Sequence, residues 1–466
     1  MRPRRAQSAD RKHAKPRPET SQTVPSHLVR IEKPIYGGAF LARVEGKAIF
    51  VPLTLPGEEA RVRIVEDKRG YATAEVEEIA AAAPERIAPA CRHYGACGGC
   101  HYQHADYATQ LAIKQTILRE TLERGGVRAP DEIGVLAGDE SQSRAYRNRI
   151  RLAFDAQGNP GYRGRRSHAV IPIAECPIAA PLLVKAALAF AEAARQNSAA
   201  SRLTELSLFC DATETALLAS VFTTSAEVGR FHDLTRSFAA KIPTLKGMEL
   251  VFEPRGGEAG GRQPNAAESP RTLAEWGDRS IAYCAAGFEY RVGHGAFFQV
   301  NRWLVDGLVE AVSEGQEGNL AWDLFAGAGL FARRLATNFK GVVAVESAHQ
   351  AAGALKENLH GTTGSAVRAS TLDFLGRNAK AGRSNLMVPD LIVVDPPRTG
   401  LGAEITTLLG TIGAPALTYV SCDPATLARD LRALVTGGYS IESVTLADLF
   451  PQTFHLETVV RLRCSC

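Results

Sequence analysis

Apolar and polar residues alternate through HLVRIEKPIYGGAFLARVEGKAIFVPLTLPGEEARVRIVEDKRGYATAEVEEI, between about residues 26 and 84. A period of two is the mark of half-buried strands. Gly37-Gly38, Gly46, Pro56-Gly57 and Gly70 break the run at turn-like intervals. The pattern predicts five short strands closing into a small barrel. The period then changes. YATQLAIKQTILRETLERGG reads as an amphipathic helix over 107–126, closed by Gly125-Gly126 and free to pack on the C-terminal domain. RNRIRLAF, DAQGNPG and YRGRRSHAVIPIAEC read as strand, turn and returning strand over 144–176. Ala-rich helical stretches and further strands follow from 180 to 290, interrupted by the Gly/Pro/polar loop 253–272.

From 291 onward, the apolar runs NLAWDLFA, GVVAVE, LIVVDPP, ALTYVSCD and ETVVRLR are separated by helical stretches. That βαβ rhythm predicts an open, mainly parallel sheet of Rossmann-like type. The expected organisation is a tail at 1–25, a barrel at 26–85, an α+β central domain at 86–290 and an α/β domain at 291–466.

Composition narrows the class. The 466 residues are 45% hydrophobic, enough for about three domains with real cores. No apolar run reaches the roughly 20 residues of a bilayer span, and no secretory signal is evident at the start. Nine cysteines scattered unevenly argue for a reducing, cytoplasmic setting rather than a disulfide framework. Net charge is +4. The first 22 residues carry seven Lys/Arg and two acids, so the remaining body is slightly negative. The tail is poor in large apolar side chains and is expected to be disordered. Bulk charge gives no argument for nucleic acid; only local clusters can.

WDLFAGAGLFARRLA reads as a strand, a Gly327-x-Gly329 turn and a helix, with Asp323 on the strand. Glycines there let a ligand approach the backbone at the strand's C-terminal edge. Glu346 ends the next strand, where a carboxylate suits a ribose diol, and Asp373 and Asp395 follow in order. Four acids in this sequence resemble a class I S-adenosylmethionine methyltransferase; NAD binding is the competing reading. VVDPPRTGL resembles the turn by which nucleobase methyltransferases offer backbone carbonyls to a flat base, but Arg398 stands where amine methylators carry an aromatic. One strand later comes Cys422 in YVSCDPATLARDL. Alone it would pass for an ordinary buried cysteine. Carbon 5 of uracil, however, becomes nucleophilic once a thiolate adds to carbon 6, and a base must then remove the carbon 5 proton. Cys422 is the candidate nucleophile and Glu457, in FPQTFHLETVVRL, the candidate base, with His455 as its rival.

Together with GAFFQVN, these motifs in this order resemble the RNA 5-methyluridine methyltransferase family, specifically its iron–sulfur branch acting on 23S ribosomal RNA. The resemblance covers the chain from about residue 27. It implies that Gln299, Phe325, Glu346 and Asp373 bind S-adenosylmethionine and that Asp395 lies between cofactor and uracil. It also implies that Cys422 is the nucleophile and Glu457 the base. Some relatives carry Asn where Leu330 stands, so Leu330 is left out of the site.

Cys91-x5-Cys97-x2-Cys100 is a tight thiol group, with Gly98-Gly99 giving the loop room to wrap a centre. Cys176, followed by Pro177, is the best fourth ligand. Spacing leaves zinc and an iron–sulfur cluster open; the resemblance implies a 4Fe–4S cluster with a structural or RNA-positioning role. Cys210 and Cys284 are expected in the core, Cys464 and Cys466 exposed at the end.

SRAYRNRIRLAFDAQGNPGYRGRRSH holds seven arginines and one acid. Arg147, Arg149 and Arg151 alternate and so share one face. With Tyr146 and Tyr162 nearby, that face suits phosphates and unstacked bases; a solvated edge strand is the plainer alternative. The barrel resembles the TRAM module, an RNA-binding barrel. RNA is therefore the expected partner, 23S rRNA ahead of tRNA, for an enzyme expected to act as a monomer off the membrane. A non-catalytic RNA-binding or ribosome-assembly factor is the alternative.

Overall fold

The computed structural model describes residues 26–197, 202–225, 229–254, 270–380 and 388–464. The basic tail, most of the 253–272 loop and Cys466 lie outside the described residues.

The N-terminal strands are Ser26–Arg30, Lys33–Ile35, Ala39–Val44, Lys47–Pro52, Glu59–Asp67 and Tyr71–Ala81. There are six rather than five because the first is broken at Ile31-Glu32. Its two halves form opposite ends of one sheet, in the order first, fifth, sixth, fourth, third, second. The amides of Ile31 and Glu32 bridge the break, donating to Glu58 O at 2.9 Å and Leu41 O at 2.8 Å. The sheet thus wraps into a barrel around Val29, Phe40, Ile49, Val51 and Val62.

The central region is a seven-stranded sheet. In order across the sheet, its strands are Val170–Pro172, Pro160–Arg163, Arg149–Phe154, Leu203–Cys210, Leu217–Thr223, Leu245–Phe252 and Arg271–Gly277. The return of the expected hairpin is two strands, not one. Helices Pro181–Gln196 and Phe231–Lys241 bury Leu183, Phe190 and Phe238 against the sheet. Strand alternation corrects two expectations. In Ser280–Ala285 it turns Ile281, Tyr283 and Ala285 inward and leaves Cys284 exposed. Next to the outward Arg147, Tyr146 points inward; it is fully buried and donates its hydroxyl to Pro451 O at 3.0 Å, so it offers no stacking face. Cys210 is buried as expected, whereas Cys464 packs half-buried against the core because its strand pairs with Tyr439–Ala447.

The C-terminal sheet has eight strands, ordered Gly364–Arg368, Phe339–Glu346, Gly318–Leu324, Leu391–Val394, Ala416–Ser421, Glu457–Cys464, Tyr439–Ala447 and Gly134–Leu136. The first five run parallel, and Glu457–Cys464 is antiparallel to both neighbours. Leu391–Val394 and Ala416–Ser421 are buried throughout, as a parallel sheet covered on both faces requires. The edge strand Gly134–Leu136 comes from the central region. So does helix Tyr107–Arg124, N-capped by Asp106 accepting from Thr109 N at 2.7 Å. That helix lies against Pro424–Thr436, and its Lys114 is fully buried on Asp448, 2.5 Å away. Among the described residues, no helix is long and apolar enough to cross a membrane.

Candidate active site

Functional side chains collect where the parallel strands end. After Gly318–Leu324 the chain turns through Phe325, Gly327 and Gly329, all at positive φ (64°, 54° and 89°), into helix Leu330–Leu335. Phe325 is not glycine, so its left-handed backbone is strained, as is common at ligand sites. The Gly327 amide donates to Glu346 Oε2 at 2.9 Å, which ties the loop to the neighbouring strand end. A small cavity there is lined by Phe297, Gln299, Phe325, Gly327, Leu330 and Asp395 among others. Three of the expected cofactor residues, Gln299, Phe325 and Asp395, thus meet in one cavity, and Glu346 holds its glycine loop. Leu330, set aside on sequence, lines it too. Asp373 lies elsewhere: it is exposed in the first turn of Thr371–Lys380 and accepts from Ser370 Oγ at 2.7 Å.

Asp323 is fully buried beneath the cavity. One carboxylate oxygen accepts from Ala332 N at 2.8 Å, and the other has no partner. Burial, with the negative Asp395 and Glu346 nearby, pushes its pKa up to about 8. Asp395 is pushed up to about 7 by burial.

Cys422 follows strand Ala416–Ser421. Asp423 then caps helix Pro424–Thr436, accepting from Ala425 N at 3.0 Å and Thr426 N at 2.9 Å. The adjacent antiparallel strand pairs Thr458 with Ser421. Continuing that register by one residue sets Glu457 across from Cys422, the separation at which cross-strand side chains interact. The electrostatics agree. Burial first, then the Glu457 and Asp395 carboxylates, raise the Cys422 thiol to about 11, with Arg398 opposing them. Glu457, 4% exposed, is held well above the usual carboxylate range by burial and by Asp395. His455 stands beside them, its Nδ1 accepting from Arg398 at 3.3 Å. Burial and then Arg398 push it down to about 3.

The loop presenting these groups is pinned from the other two regions. Lys114 Nζ donates to Asp448 and to Phe450 O at 2.9 Å. Gln110 exchanges hydrogen bonds with Gln452 at 2.9 and 3.0 Å. Gln452 O accepts from His101 N at 2.8 Å and Tyr102 N at 3.0 Å, just after Cys100. Sequence reasoning missed Tyr36. From the barrel it packs edge-on to Phe454 at 5.5 Å and lies close to the Asp423 carboxylate, and burial and that carboxylate raise its phenol. Its only sequence signal is the tyrosine before Gly37-Gly38.

Cys91, Cys97, Cys100 and Cys176 are free, half-buried and near enough that each of the first three thiols feels Cys176. Burial raises all three, Cys100 to about 12. An all-thiol set suits soft metals. Among the described residues, no three His, Cys, Asp or Glu side chains are placed to hold one metal ion. Arg147, Arg149 and Arg151 share one face as expected. Arg151 is ion-paired to Glu205 and Glu253, and Tyr162 is half-buried, 4.0 Å from Cys176 Sγ.

Residues 278–464 match the family described as tRNA (Uracil-5-)-methyltransferase, and 27–76 match the TRAM domain. The chain is 33% identical over 441 residues to the Halomonas elongata 23S rRNA (uracil(1939)-C(5))-methyltransferase RlmD, covering 92% of this chain and 87% of that one. It is 32% identical over 453 residues to an uncharacterized RNA methyltransferase of Thermotoga maritima, covering 93% and 98%. In fold it is similar to the Pyrococcus abyssi tRNA (uracil-54, C5)-methyltransferase solved with S-adenosyl-L-homocysteine. The TM-score is 0.73 at 24% identity, covering 94% of this chain and 99% of that one.

Proposed function

The chain belongs to the RNA uracil-C5 methyltransferase family, and on that premise we propose that it methylates carbon 5 of a uridine in 23S rRNA through a covalent Cys422 adduct. The observation that supports the mechanism is the pairing of Ser421 with Thr458, a register that, carried on by one residue, sets Glu457 across from Cys422. S-adenosylmethionine, when bound, supplies an electrophilic sulfonium methyl. Gln299, Phe325, Glu346 and Asp395 fit it; Asp373, expected among the cofactor residues, is not part of that cavity. The target uracil leaves its stack to reach the thiol. The Cys422 thiol gives its proton to water, its sulfur adds to carbon 6, and the electron pair of the carbon 5–carbon 6 double bond passes to the carbon 5 side as an enolate. Carbon 5 takes the methyl, whose former bonding pair stays on the departing S-adenosylhomocysteine; Glu457 then removes the carbon 5 proton, the double bond reforms and the carbon 6–sulfur bond breaks, returning the thiolate. Glu457 suits this step better than His455. Its raised proton affinity makes it the stronger base, while His455 holds a proton weakly and is engaged by Arg398.

Cys91, Cys97, Cys100 and Cys176 would hold a 4Fe–4S cluster with a structural role. The link from Cys100 through His101 and Tyr102 to Gln452 supports this, because it couples the thiol loop to the loop bearing Glu457. Protein purified without oxygen is expected to carry iron and labile sulfide; stoichiometric zinc without iron overturns the assignment. Free cysteines and an RNA substrate support a cytoplasmic enzyme.

The substrate test is mass spectrometry of 5-methyluridine in separated ribosomal and transfer RNA from a deletion strain. Loss confined to 23S rRNA is expected. Loss confined to tRNA keeps the chemistry and overturns the substrate.

A further inference from the structure

A cavity of about 670 Å³ lies on the arginine face of the central sheet, lined by Arg147, Arg149, Tyr162, Ser207, Ser220 and Thr272 among others. The exposed Arg151 lies at its edge, already paired with Glu205 and Glu253. The two inner arginines differ from it. The Nε of Arg147 and the Nε and one terminal nitrogen of Arg149 are buried without a hydrogen-bond partner. Arg149 stacks on the Phe209 ring at 4.3 Å. Burial alone lowers it to about 10, and among the described residues no acid offsets its charge. Among the described residues, the one carboxylate on the cavity wall, Glu249, is occupied by Ser220 at 2.7 Å and Thr272 at 3.4 Å, with His294 at 3.8 Å. A buried guanidinium without a partner is costly, and an anion that accepts its free donors removes that cost.

We propose that Arg147 and Arg149 form a clamp for an RNA backbone phosphodiester flanking the target uridine. This rests on the RNA-methyltransferase reading. The planar donors of arginine fit phosphate oxygens two at a time. The clamp's place in the fold specifies a flanking nucleotide. Asn148, between the two arginines, points to the opposite side of the strand. Its Nδ2 donates to Gln299 O at 2.9 Å and its amide to Val300 O at 3.0 Å. The segment that grips the phosphate therefore also grips the segment carrying Gln299. Arg147 is also close enough to the active centre to help depress His455. A phosphate drawn into the cavity would register its neighbouring base over Cys422.

The test measures binding of fluorescein-labelled oligouridylate by anisotropy across a salt series, with wild type, Arg149→Met, Arg149→Lys and Arg147→Gln. Loss of one phosphate contact is expected to weaken binding about tenfold at fixed salt and to flatten the log–log salt slope by about one. Arg149→Lys should restore the slope but only part of the affinity. S-adenosylmethionine affinity should not change. The melting temperature of Arg149→Met should hold or rise, because an uncompensated buried charge is gone; a merely structural arginine would lower it. Wild-type affinity and slope in both Arg149→Met and Arg147→Gln overturn the clamp. Saturable inorganic phosphate binding combined with unchanged oligouridylate binding in the variants also overturns it, in favour of a free-anion site. The underlying reading fails separately: a wild-type enzyme that binds RNA with the expected slope but forms no 5-methyluridine loses the proposed function and keeps the clamp.

Discussion

Replacing Lys114 by Met cuts the bridge between the Tyr107–Arg124 helix and the catalytic loop. The Lys114–Asp448 pair spans 2.5 Å with both side chains fully buried, and Lys114 also donates to Phe450 O at 2.9 Å. Burial lowers the lysine's proton affinity even with Asp448 opposing, so desolvation is the larger effect and the pair is held by its geometry. Methionine leaves Asp448 as a buried carboxylate without its cation and strips a donor from the part-buried Phe450 carbonyl. Removing one partner of such a pair costs about 3–5 kcal/mol, whereas neutralising both is near break-even. Urea denaturation of Lys114→Met is therefore expected to show a loss of about 3–5 kcal/mol. The Lys114→Met/Asp448→Asn double variant should recover most of it. Phe450 and Gln452 are anchored by the same helix, so kcat should fall in the single variant even where the protein is fully folded, with S-adenosylmethionine affinity retained. A loss below about 1 kcal/mol in Lys114→Met would refute the assignment of this pair as the clasp of the catalytic loop.

Glu457→Gln should accumulate a covalent enzyme–RNA complex, visible as a shifted band on denaturing gels, because the methylated adduct cannot lose its carbon 5 proton. Asp323 carries a proton in the folded state up to about pH 8 but only to about pH 4 when unfolded. Its contribution to stability is thus present below about pH 4 and lost as pH rises through about 8. Asp323→Asn should flatten that fall in a urea series across pH. Gly125→Ala at the end of the long helix would put a Cβ 2.6 Å from the Ala428 Cβ, two atoms with no rotamer to yield, and should cost about 1–3 kcal/mol by thermal melting.

Four of the five parallel strands were plain in the sequence because they are apolar runs with an acid at or just after their ends; the fifth, Gly364–Arg368, was not, because GSAVR is neither apolar nor closed by an acid. Cys422 was legible as a strand end, but its facing Glu457 depended on an antiparallel return that the pattern does not encode. Gly134–Leu136 could not be seen: three residues have no period, and the strand exists only because Tyr439–Ala447 leaves an edge open. The broken first barrel strand was hidden because alternation continues through Ile31. Cys284 was misjudged by its local apolar context, where the strand period already gave the correct side; Tyr146 was grouped with the arginines by nearness in sequence, although it alternates with Arg147. Tyr36 was invisible because its partners, Phe454 and Asp423, are hundreds of residues away.

The most direct measurement is intact-mass and peptide mass spectrometry of the enzyme incubated with S-adenosylmethionine and 23S rRNA carrying 5-fluorouridine. Fluorine at carbon 5 blocks removal by a base, so the reaction should stop as an RNA adduct on the Cys422 peptide, with one methyl added to the base. An adduct on another residue, or full methylation of ordinary 23S rRNA by Cys422→Ala, would contradict the covalent mechanism.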